Sequence, residues 1–179
     1  MLYTGKGDQG YTDLLGGRVP KYAARPETFG TLDEASCAIG MARALATSPE
    51  TKQLLVQVQR DLYLMMAELA FVPGIEQQKY RVTEDHVRRL EETIDRLGAM
   101  VPIGRHFVLP GDTLAGATLD FARTVVRRAE RLVARLYHEG EVQNEQLLAY
   151  LNRLSSLLFV LARFEDHEAG VTPTPAKEP

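Results

Sequence analysis

Arg123, Arg127 and Glu130 are the residues of this chain whose types and spacing best suit chemistry. At 100° per residue, separations of four and three place them along one stripe of a helix. Two guanidiniums beside a carboxylate on a rigid face suit an anionic or ribose-like ligand, since arginine grips phosphate oxygens in a fork. The same spacing also describes a solvated face with helix-internal ion pairs, and spacing alone does not decide between them. A second stretch, Thr4-Gly5-Lys6-Gly7-Asp8-Gln9-Gly10-Tyr11-Thr12, sets glycines where backbone N–H groups can approach an anion closely. Threonine hydroxyls and Lys6 are further donors. The GxxxxGK[ST] spacing of a Walker loop is absent, and a flexible leader is the duller reading.

The elements that must position these groups are helices. A first is expected from about Glu27 to Ala46. Ser48-Pro49-Glu50 starts a second, with an N-cap and then proline at the first helical position. Leu55, Val58, Leu62, Met65 and Leu69 hold the helical period until Pro73-Gly74 ends it. Thr83 caps a third helix, in which Val87, Leu90, Ile94 and Leu97 share one side. The fourth runs from about Thr113 to His138 and stops at Gly140. Asn144 is expected to cap the fifth, whose core stripe is Leu147, Leu151, Leu154, Leu158 and Leu161. The spacing thus predicts an all-α five-helix bundle, four helices long, with no convincing strand. Residues 1–24 form a glycine-rich irregular segment before the bundle of residues 25–170. The tail 171–179, Val-Thr-Pro-Thr-Pro-Ala-Lys-Glu-Pro, is proline-rich and expected to be disordered.

Composition narrows the class. At 179 residues and 45% hydrophobic, the chain can bury a core as one domain without staples. A single cysteine, Cys37, excludes a disulfide framework and suits a reducing compartment. The net charge of −3 argues against nucleic acid. No run approaches the ~20 apolar residues of a membrane span, and no signal peptide is apparent. A cytoplasmic domain is expected. His86, His106, His138 and His167 fall at no metal-binding spacing, and no metal-ligand set is assigned. A di-iron bundle would need a histidine three residues after a glutamate, which the chain lacks.

Four motifs together resemble a known family. Tyr3 to Leu14 is similar to the nucleotide loop of the PduO-type ATP:cob(I)alamin adenosyltransferases, and Gly30-Thr31-Leu32-Asp33-Glu34 to their G-T-x-D-E motif. Ala122-Arg123-Thr124-Val125-Val126-Arg127-Arg128-Ala129-Glu130-Arg131 resembles the signature helix, and Tyr150-Leu151-Asn152-Arg153-Leu154-Ser155 the last motif. They occur in the family's order across residues 3–163.

The resemblance implies a homotrimer with an active site at each subunit boundary. There the 5′-deoxyadenosyl group of ATP moves to the cobalt of cob(I)alamin, and triphosphate leaves. ATP, Mg²⁺ and cobalamin are the implied ligands. A flavin reductase and an adenosylcobalamin-dependent mutase or dehydratase are the implied partners. Cob(I)alamin is itself a strong nucleophile, so the protein must align C5′ with cobalt and stabilise charge on the leaving triphosphate. By resemblance, Thr4, Gly5, Lys6, Gly7, Thr12 and Lys21 wrap ATP. Arg127 and Glu130, with Arg128 and Arg131 of the same motif, and Asn152 bind nucleotide. Arg123 and Asp33 form an ion pair shaping the boundary. Phe107 occupies the lower face of the corrin, displacing the axial ligand so that cob(II)alamin becomes four-coordinate and easier to reduce, and Arg127 is the other catalytic residue.

Some positions depart from the family pattern: Lys6 for Thr or Ser, Asp112 for a small residue, Asp120 for His, and Ser156 for Asp. The C-terminal aromatic segment also has no clear counterpart. A non-catalytic protein that binds ATP or carries adenosylcobalamin on the same scaffold is the alternative.

Overall fold

The computed structural model describes residues 3–72, 74–75, 78–102 and 107–177. Met1, Leu2, Pro73, His106 and the last two residues of the tail lie outside them. Five helices form the body: α1 (Ala24–Leu45), α2 (Pro49–Ala70), α3 (Glu84–Gly98), α4 (Leu114–His138) and α5 (Gln146–Glu168). Three of the starts have a local cause in a capping side chain. Ser48 Oγ accepts from the amide of Thr51 ahead of α2. Thr83 and His86 form a capping box on α3. Thr113 Oγ1 accepts from the amide of Gly116 at 2.9 Å on α4.

α4 packs most extensively, against α1 on one flank and α5 on the other, while α2 lies on α1 and α3 on α5. α1 buries the small residues Ala35, Ala38 and Ala42 beside Leu32 and Ile39. α5 is the core helix. Its composition and length would allow a membrane span (mean hydropathy 1.4), contrary to the sequence expectation, but 67% of that window is buried within the bundle. Tyr150, the largest fully buried side chain, donates its hydroxyl to Asp61 Oδ2 at 2.9 Å. Burial pushes the Tyr150 phenol well above its ordinary range, and the charge and hydrogen bond of Asp61 act in the same direction.

The structure corrects the sequence expectation at several points. Residues 1–24 are not wholly irregular: β1 (Tyr11–Leu14) and β2 (Gly17–Pro20) pair antiparallel, Thr12 opposite Val19. Leu15 and Gly16 make the turn, with Gly16 at φ 106°. Leu15 ties it to the end of α2, donating to Ala70 O at 2.9 Å and accepting from the Val72 amide at 3.0 Å. α1 starts earlier than expected, because Pro26 is tolerated in a first helical turn. α2 ends at Ala70, where Arg25 Nη1 takes the carbonyls of Leu69 and Phe71 at 3.1 and 2.9 Å. Glu145 precedes α5 without a side-chain cap, and Asn144 Oδ1, as expected, accepts from the Gln146 amide at 3.2 Å. Asn144 is buried and bridges Glu68 Oε1 and Val82 O at 2.8 and 2.9 Å.

Candidate active site

Ala122, Val125, Val126, Ala129 and Val133 bury one side of α4, which holds Arg127 outward, exposed and without a partner among the described residues. One turn on, Glu130 accepts from Asn152 Nδ2 of α5 at 3.1 Å. Asn152 Oδ1 accepts from Arg153 Nη1 at 2.8 Å, and Arg153 Nε donates to Glu91 of α3 at 2.7 Å. Three helices therefore fix the Glu130–Asn152 pair beside an unpaired guanidinium. The arrangement presents one free cation next to fixed oxygen and nitrogen groups, which suits a phosphate with a sugar attached.

Not every predicted residue joins this group. Arg128 turns to the other flank of α4 and pairs with Glu34 of α1, and Arg131 is exposed without a partner among the described residues. Arg123 is half-buried and gives its Nε to Asp120 Oδ1 at 3.0 Å. Asp33, its expected partner, is exposed on α1 and has no partner among the described residues.

The glycine segment folds into consecutive turns. Asp8 N donates to Gly5 O and Gly10 N to Gly7 O, each at 3.1 Å. Gly5 and Gly10 take φ 68° and 79°, which side chains rarely adopt. The Lys21 ammonium lies over Gly7 so closely that a β-carbon there would stand 2.9 Å from Nζ. Thr4, Gly5, Lys6, Gly7 and Lys21 are thus gathered into one cationic cradle, with Thr12 on the adjoining strand. A cleft lined by Arg25, Glu68, Phe71, Arg81 and Asn144 contains none of the predicted site residues.

Phe107 is 89% exposed, so its ring is not core. It precedes α4, and the tail lies alongside it: Leu109 N donates to Thr174 O, and Ala176 N to Phe107 O, each at 2.8 Å. Asp112 accepts from the Thr174 amide at 2.9 Å and from its hydroxyl at 2.6 Å. The Thr174 hydroxyl, then its amide, hold the Asp112 carboxyl below its ordinary range; slight burial opposes them, and the charge of Arg163 adds to them. Residues 171–177, expected to be disordered, are tied down by these bonds.

Sequence reasoning did not find the charges beneath this end. Arg163, 4% exposed, donates to Asp120 Oδ2 at 2.9 Å and lies 3.0 Å from Asp166. Asp166 also accepts from Thr113 Oγ1 at 2.6 Å, so the network reaches the N-cap of α4. The signal was present as three charged residues, Arg163, Glu165 and Asp166, at the end of a leucine-rich helix.

Glu34 pairs with Arg128, and Glu27 lies near Arg135, so α1 and α4 are antiparallel. The glycine cradle sits at the end formed by the start of α1 and the end of α2. Phe107 sits at the other end, where α4 begins. α4 has 25 residues, so about 37 Å separates the two ends.

A cationic loop, an arginine stripe and an exposed aromatic on a five-helix bundle define a nucleotide-handling helical protein. Comparison narrows the class. The family model described as cobalamin adenosyltransferase matches residues 2–165, and the chain belongs to that family. It is 40% identical over 174 residues to a corrinoid adenosyltransferase of Bacillus subtilis, covering 95% of this chain and 89% of that one. It is 42% identical over 172 residues to the corrinoid adenosyltransferase PduO of Citrobacter freundii, covering 94% of this chain but only 50% of that protein. A phenylalanine-to-alanine variant of the PduO-type ATP:corrinoid adenosyltransferase from Lactobacillus reuteri, solved with cobalamin and ATP, superimposes with a TM-score of 0.93. That match is 30% identical and covers 99% of this chain and 100% of that one. An arginine-to-lysine variant of the same enzyme, solved with ATP, gives 0.89 at 30% identity, covering 98% and 100%.

Proposed function

We propose that the chain transfers the 5′-deoxyadenosyl group of ATP to the cobalt of a reduced corrinoid, at sites shared between subunits of a homotrimer. The observation that carries the shared site is the separation of the glycine cradle and Phe107 by the length of α4. An in-line displacement needs its reacting atoms within ~3–3.5 Å, so a cradle at one end serves a corrin at the other only across two chains. Exposed apolar side chains on the outer α1–α4 face support this: Met41, Leu45, Leu114 and Phe121 lie there, Phe121 being 56% exposed. Asp33 and the guanidinium nitrogens of Arg123 that Asp120 does not take are then placed to meet across the boundary.

In the reaction, a cobalt–C5′ bond forms and the C5′–O5′ bond of ATP breaks, its electron pair leaving on triphosphate. Arg127, Lys6, Lys21 and the loop amides offset the charge that develops there, without moving as the bond breaks. Glu130 and Asn152 orient the nucleoside, and Phe107 stands against the lower corrin face. Among the described residues no three His, Cys, Asp or Glu converge on a point. Mg²⁺, brought with the nucleotide to the cationic groups of Arg127, Lys6 and Lys21, would help neutralise charge on the leaving triphosphate. The exposed thiol of Cys37 suits the cytoplasm, where a flavin reductase would supply reduced corrinoid and a mutase or dehydratase would take the product.

Purified protein supplied with ATP, Mg²⁺ and chemically reduced cobalamin should form the light-sensitive cobalt–carbon product, followed by the corrin spectrum. Arg127→Ala should weaken ATP binding by about 2–5 kcal/mol in calorimetry while leaving the helical spectrum intact. ATP binding without product would favour the carrier reading, and unchanged affinity would remove Arg127 from the site.

A further inference from the structure

We propose that residues 171–177 act as a brace that positions the Phe107 segment, with Asp112 and Thr174 as the positioning residues that fasten it. The inference rests on the adenosyltransferase reading for its purpose, but its geometry stands alone.

An aromatic that is 89% exposed has almost no packing to hold it. Its placement must come through its backbone. Among the described residues, the bonds that reach residues 107–112 from elsewhere in the chain come from Thr174 and Ala176. The pattern is a short antiparallel strand addition, Val108 opposite Pro175, in which Ala176 N fixes the Phe107 carbonyl and Thr174 O takes the Leu109 amide. Two backbone bonds alone leave an exposed tail free to slide or fray. Asp112 prevents this by taking both the amide and the hydroxyl of Thr174, a charge-assisted pair that sets the register.

Both sides of the clasp are anchored. The tail leaves α5 at Gly170, φ 70°, with Val171 N bound to Asp166 O at 2.9 Å. Asp112 is followed by Thr113, the N-cap of α4, whose hydroxyl is held by the Asp166 carboxylate. Asp166 thus grips the root of the tail through its carbonyl and the start of α4 through its side chain. Phe107 is fastened to the helix that carries Arg123 and Arg127. This also accounts for Asp112, which is otherwise an acidic residue without a task in an anion-binding protein.

The test uses the full chain with Asp112→Ala and, separately, Thr174→Val, which removes one donor but keeps the tail amide. Amide exchange at Leu109 and Ala176, measured without ligand, should be slowed in the wild type and speed up on the order of tenfold in Asp112→Ala. With ATP bound, both variants should lose several-fold of the four-coordinate cob(II)alamin signal and raise KM for cobalamin. ATP affinity and melting should stay as in the wild type. Free exchange at Leu109 in the wild-type chain would overturn the brace whatever the turnover. Faster adenosylation in the variants would overturn it too, making the tail an obstruction. If the wild type binds ATP but no corrinoid, the functional reading fails while the exchange data still decide whether the brace exists.

Discussion

Arg163→Met should be among the most damaging single changes in this protein, although Arg163 lies outside the Arg123–Arg127–Glu130 stripe. The guanidinium is 4% exposed, and its two carboxylate partners, Asp120 and Asp166, are 6% and 0% exposed. Methionine fills much of the volume but leaves two buried acids without their shared cation. Asp120 retains Arg123 at 3.0 Å, and Asp166 retains the Thr113 hydroxyl at 2.6 Å, so neither is wholly orphaned. Breaking a buried pair by removing one partner costs about 3–5 kcal/mol. For a chain of this size each kcal/mol lowers Tm by about 2–4 °C, giving a fall of roughly 6–20 °C. The assay is a thermal melt followed by far-ultraviolet circular dichroism at matched chain concentration, because assembly makes Tm concentration-dependent. Removing all three charges (Asp120→Leu, Arg163→Met, Asp166→Asn) should recover most of the loss, since apolar replacement of a whole buried network is often tolerated. A single variant that melts within ~2 °C of the wild type, a loss below about 1 kcal/mol, would show that the three charges do not depend on one another.

Phe107→Ala should alter stability by less than about 0.5 kcal/mol, as exposed positions do, against about 3–5 for a core phenylalanine. It should keep ATP affinity yet lose the four-coordinate cob(II)alamin spectrum, and a sharp drop in Tm would place the ring in an interface or core instead. Phe121→Glu puts a charge on the outer α1–α4 face and should abolish both the mass near three subunits seen by light scattering and the transferase activity, with helicity unchanged. A variant that remains trimeric would move the interface elsewhere. The Asp112 carboxyl is held below its ordinary value by Thr174. A lowered folded pKa gives stability that is complete above the unfolded value and lost as pH falls through the folded one. Protection of the Leu109 amide should therefore stay constant from neutral pH to about 5 and fail only below the ordinary carboxylate value of ~3.9. Loss of protection near neutrality would detach Asp112 from the clasp.

The helices were legible because their causes are local. Ser48, Thr83 and Thr113 each cap the helix that the apolar period predicts, within a few residues of the expected start. The hairpin and the tail were not legible, because both exist through partners distant in sequence. β1 and β2 carry only four residues each, and their turn is held by Ala70 and Val72. The tail is held by a segment some sixty residues earlier, Asp112 lying 62 positions from Thr174. No periodicity within nine proline-rich residues could announce that pairing.

The site divides along the same line. Periodicity puts Arg123, Arg127 and Glu130 on one stripe, and in the structure Asn152 meets Glu130 there. It does not reveal which neighbour each flank faces, and Arg128, one residue on from Arg127, is rotated 100° toward Glu34 of α1. At the other end, Asp112 and Asp120 stand out in the sequence as acids where the family has a small residue and a histidine. Their meaning lies in long-range partners: Asp120 neutralises Arg163 across 43 positions, and Asp112 fastens Thr174. Both are occupied, at the end of α4 that carries Phe107 rather than beside Arg127. Both departures therefore act through long-range partners that hold the segment around Phe107 and the start of α4.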